Sequence, residues 1–197
     1  MLYFMDSEFF DDGVTIDLIS IGIVAEDGRE LYACNLDARL DLAAKNSLMR
    51  ENVLAKLPPF GDKLWMHAQG TWQYPGIREA VLSFMFDARH MSDLLEPGRP
   101  LGPPLDGKKP KIWGYYSSYD WVVFCQLFGP MVDLPKQLPK RCGDLRQLAD
   151  DFGNPKFAKP DGAEAHNALT DARWNRDFYE FLMELKRHHI IKIEESG

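Results

Sequence analysis

A short aromatic run, Leu2 to Asp6, is followed by the turn signal Asp11-Asp12-Gly13 and then by a long β-branched stretch from Val14 to Val24. Two apolar runs separated by a turn cluster predict a hairpin, and runs this apolar belong at the centre of a sheet rather than at its edge. A second turn signal, Glu26-Asp27-Gly28, introduces Leu31 to Asn35 as a third strand. A chain that opens in this way commits its core to a sheet before any helix is made.

Helical signals come next. Leu40 to Leu57 is rich in Ala and Leu and reads as helical until Pro58-Pro59 stops it. From Tyr74 to Leu95 the apolar positions Ile77, Val81, Phe84 and Met85 recur at helical spacing, with Pro75 suited to a first turn. Residues 96–110 contain five prolines and three glycines and read as a loop or insertion. Lys111 to Tyr116 is a further buried strand, and Ser117-Ser118 can cap a helix running through Trp121 and Phe124 to Gly129. A helix from Asp144 to Phe152, a loop from Gly153 to Gly162 and a long helix from Asn167 to His188 complete the order. That order predicts one α/β domain over residues 1–197, with a mixed central β-sheet flanked by α-helices, and a ribonuclease H-like architecture fits it.

With 197 residues, 45% of them apolar, the chain is long enough for one domain with a substantial core. No apolar run approaches the ~20 residues of a membrane span. The opening residues carry no basic leader, so a cytoplasmic protein with no membrane association is expected. Cys34, Cys125 and Cys142 are widely spaced and read as core thiols. A net charge of -7 argues against coating long nucleic acid by electrostatics alone. The stretch from Lys108 to Lys159 is nonetheless basic and could meet a few phosphates.

Asp6 and Glu8 are two apart at the end of the first strand, so both carboxylates project from one face of the sheet and offer hard oxygen ligands to a divalent cation. Such a pair alone also describes a strand end entering solvent. Asp120 falls in a first helical turn just past a strand end, where a carboxylate also suits the helix dipole. His166 and Asp171 are five apart, ~140° around a continuous helix, and converge only if His166 precedes the helix. Asn167 is a credible cap that would place it there. Phe9 follows the acid pair directly and either stacks on a nucleic-acid base or packs in the core. The aromatics Trp113, Tyr115, Tyr116, Tyr119 and Trp121 around the third acid read as core rather than as a base platform.

The ordered set has Asp-x-Glu on the first strand, Asp after a later strand and His-x4-Asp at the last long helix. In it the chain resembles the DEDDh 3′-5′ exonucleases of the DnaQ-like, ribonuclease H-fold superfamily over nearly its whole length. More narrowly, Tyr3-Phe4-Met5-Asp6-Ser7-Glu8-Phe9, Ile16 to Val24, Tyr119 to Met131 and His166-Asn167-Ala168-Leu169-Thr170-Asp171-Ala172-Arg173 resemble the small bacterial exoribonucleases of the ribonuclease AS type. Ser7 departs from the Thr common in that family, and residues 96–110 look longer than a minimal version; neither is expected to touch the chemistry.

The resemblance implies that Asp6, Glu8, Asp120 and Asp171 are the metal-binding acids and His166 the general base. It also implies two divalent cations, Mg2+ or Mn2+, with Asp6 shared between them and Asp120 acting through water. Further implied are a single-stranded substrate trimmed to nucleoside 5′-monophosphates, RNA rather than DNA and adenylate-containing, and a homodimer. Trp65, Trp72 and Phe86 are the apolar positions expected to be exposed for such a dimer. Two rivals remain from the sequence: an exonuclease on DNA or short oligonucleotides, and a catalytically silent nucleic-acid-binding module. Against the second, adjacent buried acids are costly to keep without cations.

Overall fold

A computed structural model describes residues 1–71, 74–87, 101–160 and 165–195. The hairpin forms as its sequence predicts. Strands β1 (Leu2–Asp11) and β2 (Ile16–Ala25) pair antiparallel from Tyr3 opposite Ala25 to Asp11 opposite Ile16. Asp12 closes the turn by accepting from the backbone N–H groups of Val14 and Thr15. Strand β3 (Glu30–Asn35) adds antiparallel to β2. Three parallel pairings finish the sheet: β4 (Trp65–Met66) on β3, β5 (Lys111–Gly114) on β1, and β6 (Gly143–Asp144) on β5. The order is β4-β3-β2-β1-β5-β6, a mixed six-stranded sheet with helices packed on it. This is an α/β fold consistent with a ribonuclease H-like arrangement.

Alternation along β1 sorts its residues between two layers. Tyr3 and Met5 join Ile21, Ile23, Val81 and Phe124 in the larger core, beneath α3 (Ile77–Met85) and α4 (Ser118–Gln126). Phe4 points the other way, its ring 5.3 Å from that of Tyr179 on the long helix α6 (Ala168–Glu195). A second cluster, Leu145 and Ala149 of α5 (Leu145–Asp150) with Phe178 and Leu182 of α6, fastens these helices beside β5. Asp6 and Glu8 follow Phe4 at period two, so they are aimed at the α6 side.

Several expectations need correction. The stretch from Leu40 to Leu57 is not one helix but α1 (Leu40–Ala43), α2 (Ser47–Asn52) and a 3-10 turn (Leu54–Lys56). Asn46 breaks it, because its side chain accepts from the N–H groups of Leu48 and Met49 and starts a new helix there. Helix α3 begins at Ile77 and stops at Met85, where Phe86 turns extended to bridge Pro104; residues 88–95 of the expected helix and 96–100 of the expected loop lie outside the described residues.

Trp65 and Phe86 are 8% and 1% exposed, buried by strand β4 and by this bridge, and cannot serve a dimer surface; Trp72 lies outside the described residues. Tyr116 and Tyr119, expected in the core, are 63% and 53% exposed, the first because it lies in the β5–α4 turn and the second because it is on the outer face of the first turn of α4. All three cysteines are free thiols, Cys34 buried and the others partly so. Among the described residues no helix is long and apolar enough to cross a membrane.

Candidate active site

The site lies where β5 leaves β1. Their pairing covers only Leu2 to Phe4. Past that point the β1 backbone groups facing β5 have lost their strand partner, and side chains replace it. The Met5 carbonyl accepts from Asn175 Nδ2 at 2.9 Å, and the Ser7 N–H donates to Asp120 Oδ1 at 2.9 Å. The Ser7 hydroxyl donates to the same oxygen at 2.6 Å. Asp120, in the first turn of α4, is thereby held across the gap with one carboxylate oxygen occupied. The contact is made by a hydroxyl that Ser and Thr share, so position 7 adjoins the site although the exchange of one for the other keeps the bond.

Helix α6 brings the remaining groups. Asp6 is paired with Gly22 on β2, and a Cβ at Gly22 would lie 2.3 Å from the Ala168 carbonyl oxygen. Only a residue without a side chain lets the start of α6 descend onto β2 at this level. Asn175 ties the helix to β1, and Arg173 ties it to β3 through a two-point ion pair with Glu30, at 2.8 and 2.6 Å. Asn167 caps the helix by accepting from the Thr170 N–H, as its sequence position suggests. Asp171 then stands over the β1 acids, and His166 sits before the helix with φ +61°. The His166 N–H donates to Asp171 Oδ2 at 2.9 Å.

Asp6, Glu8 and Asp171 each present a carboxylate oxygen, all within 4.8 Å of one another. Burial, and then the neighbouring Asp120, Glu8 and Asp171 carboxylates, push the Asp6 carboxyl well above its ordinary range. Glu8 is pushed up to about 8 by burial and by Asp171 and Asp120, against a downward pull from Lys56. Burial also raises Asp171 and Asp120, the latter opposed by the Ser7 hydrogen bonds. Three converging oxygens that resist ionisation together are suited to a hard divalent cation, which would supply the missing counter-charge. Asp120, on the other flank, is aligned by Ser7 rather than joined to this trio. A cleft of about 290 Å³ opens beside the trio, lined by Asp6, His166, Asp171, Tyr115, Lys159 and Trp174. Lys159 lies over the Tyr115 ring, its Nζ 4.5 Å from the centroid.

A family model described as the 3′-5′ exoribonuclease Rv2179c-like domain matches residues 1–183. The chain belongs to this exoribonuclease family. Two curated members from Mycobacterium tuberculosis strains, the 3′-5′ exoribonucleases Rv2179c and MT2234.1, are each 39% identical to it over 174 residues, 88% of this chain and 88% of theirs. Exonucleases of this kind are typically dependent on divalent metal, and the trio is a carboxylate cluster with the geometry to hold such an ion.

For this family member, the structure gathers Asp6, Glu8 and Asp171, sets His166 in the same cleft and places Asp120 across the β1–β5 gap. Phe9 is partly buried, packed against the larger core and stacked on Tyr119 with ring centroids 5.8 Å apart and planes 15° from parallel. Sequence reading missed Gly22, Lys56 and Asn175 and did not give Ser7 or Lys159, which it noted only as a family departure and as the end of a basic stretch, a place at the site. Gly22 alone carried a signal, as the one glycine inside a β-branched strand run.

Proposed function

We propose that the protein is a divalent-metal-dependent 3′-5′ exoribonuclease of the DEDDh subclass, with a ribonuclease H-like fold in which residues 1–197 form one exonuclease domain. The observation that carries this reading is the meeting of the Asp6, Glu8 and Asp171 carboxylates beside a cleft that Asp6, Asp171 and His166 line together. The family relationship supports RNA as the substrate class, and the resemblance of the motifs supports single-stranded, adenylate-containing RNA and a homodimer.

In this reading Asp6, Glu8 and Asp171 hold one cation, Mg2+ or Mn2+, and Asp120 supports a second through water. The chemistry such cations supply when bound is Lewis-acid stabilisation of charge on the phosphoryl and leaving oxygens and a lowered pKa for water. His166 is exposed, so its imidazole can take the proton from the attacking water and pass it to solvent. Asp171 orients that histidine by accepting its backbone N–H. Phe9, braced flat against Tyr119, offers a face on which a terminal base can stack.

The test is incubation with Mg2+ or Mn2+ and 5′-labelled single strands: A-rich RNA, the matching DNA and a poly-U control, with Asp6→Ala in parallel. Stepwise shortening of RNA that the variant does not perform is the expected result. Faster degradation of DNA would overturn the substrate assignment. Metal-replete inactivity on every strand would overturn the enzymatic reading.

A further inference from the structure

The peptide unit joining Ala165 to His166 is held from both sides. Its N–H donates to Asp171 Oδ2, and its carbonyl oxygen accepts from Lys56 Nζ. Lys56 stands 109 residues away in sequence, at the end of the 3-10 turn that follows α2. That turn is not a loose arm. Val53 at its start is buried with Ile19 and Ala43, and Leu54 and Leu57 pack against the same cluster.

The orientation of this peptide decides where His166 goes. With φ +61°, His166 adopts a left-handed conformation that is uncommon for a residue with a side chain and that neighbouring contacts help to hold. Rotating the peptide plane toward an ordinary conformation would turn the carbonyl oxygen away from the Lys56 ammonium and toward the Asp171 carboxylate. Both changes are electrostatically unfavourable. One hydrogen bond leaves a peptide free to pivot about it, whereas two on opposite ends fix the plane.

We propose that Lys56 is a positioning residue for catalysis: by holding the Ala165 carbonyl while Asp171 holds the His166 N–H, it locks the histidine-bearing peptide in the one orientation that aims the imidazole into the cleft. The inference rests on the reading of His166 as the general base and adds to it a residue from a helical segment that contributes no acid to the site. Lys56 also exerts a downward pull on Glu8, so its charge offers a competing explanation for any loss.

A double-mutant cycle separates these. Lys56→Met, His166→Ala and the double variant are compared with the parent protein for kcat and KM on 5′-labelled RNA at saturating Mn2+, after melting curves establish that each is folded. Lys56→Met is expected to lower kcat by roughly 10- to 100-fold, the cost of a misplaced catalytic group, with KM changed by less than about two-fold. His166→Ala is expected to lose on the order of 100-fold or more. The double variant should be no slower than His166→Ala alone, since a histidine that is gone cannot be misplaced. Lys56→Arg, which keeps a donor of similar reach, should recover most of the rate; it also serves if Lys56→Met does not fold.

A parent-like kcat in Lys56→Met alongside a slow His166→Ala would overturn the Lys56 inference alone. Losses that multiply in the double variant, or that fall on KM, would overturn it too, assigning Lys56 to Glu8 or to substrate phosphate. A parent-like kcat in His166→Ala would overturn the general-base reading itself.

Discussion

Ser7 grips one oxygen of Asp120 twice, through its backbone N–H at 2.9 Å and its hydroxyl at 2.6 Å. The strand thus orients an acid that belongs to a helix more than a hundred residues later, at the point where β5 no longer pairs with β1. Removing the hydroxyl with Ser7→Ala leaves the backbone bond and frees the carboxylate to turn. A hydrogen bond to a charged group is worth ~1.5–3 kcal/mol, so a kcat loss of roughly 10-fold or more is expected in steady-state assays on RNA. Ser7→Thr keeps the hydroxyl and should stay within about three-fold of the parent rate.

Gly22→Ala tests how closely α6 must approach. A methyl group there meets the Ala168 carbonyl oxygen at 2.3 Å, backbone that can yield only by moving the helix. Overpacking of this kind costs ~1–3 kcal/mol, which calorimetry would read as a lowered Tm. Activity should fall further than the Tm shift accounts for, because the same displacement lifts Asp171 away from Asp6 and Glu8. An active, merely less stable variant would contradict the importance given to this contact.

Stability should depend on pH in a direction set by the raised acids. Glu8 titrates at about 8 in the folded chain and at 4.5 when unfolded, so between these values the folded state retains a proton that the unfolded chain releases. The stabilisation is complete below pH 4.5 and is lost as pH rises toward 8. In chelator, thermal melts at pH 8.5 should therefore lie below those at pH 6, by at least about 3 °C for ~1 kcal/mol in a domain of this size. Saturating Mn2+ should raise the Tm more at pH 8.5 than at pH 6, since the cation replaces the proton.

Asp6→Asn separates stability from catalysis. Asparagine keeps the shape but removes a buried charge that the neighbouring carboxylates oppose. The variant should degrade RNA at least about 1,000-fold more slowly, as expected when transition-state charge stabilisation is lost, while its Tm in chelator at pH 8 equals or exceeds that of the parent. Its Tm should also stop responding to Mn2+, because a ligand stabilises only the state that binds it. A preserved Mn2+ response would place the cation elsewhere.

Local signals made much of this molecule legible. The hairpin was readable because its turn and both runs are contiguous, and Asn167 marked the start of α6 because capping is decided within four residues. Asp6 and Glu8 were readable as a same-face pair for the same reason. What escaped depends on partners distant in the chain. Strand β4 is two residues long and exists only as an addition to β3. Phe86 is buried by Pro104, Ser7 matters through Asp120, and Lys56 through Ala165, and none of these pairings leaves a trace in neighbouring residues. The break at Asn46 was within reach, since its side chain competes with the helix locally.

Strand β1 lies in the interior of the sheet, paired on one side with β2 and on the other with β5, whereas His166 is an exposed residue at the periphery, just ahead of α6. Local opening in proteins reaches such peripheral segments well before interior strands. The two halves of the centre therefore differ in durability. On warming, or in mild denaturant, the backbone that presents Asp6 and Glu8 outlasts the segment that presents His166. With the roles proposed above for His166 and the acids, turnover is expected to fail first while the capacity to hold a cation persists, and cooling to restore the rate without refolding the sheet.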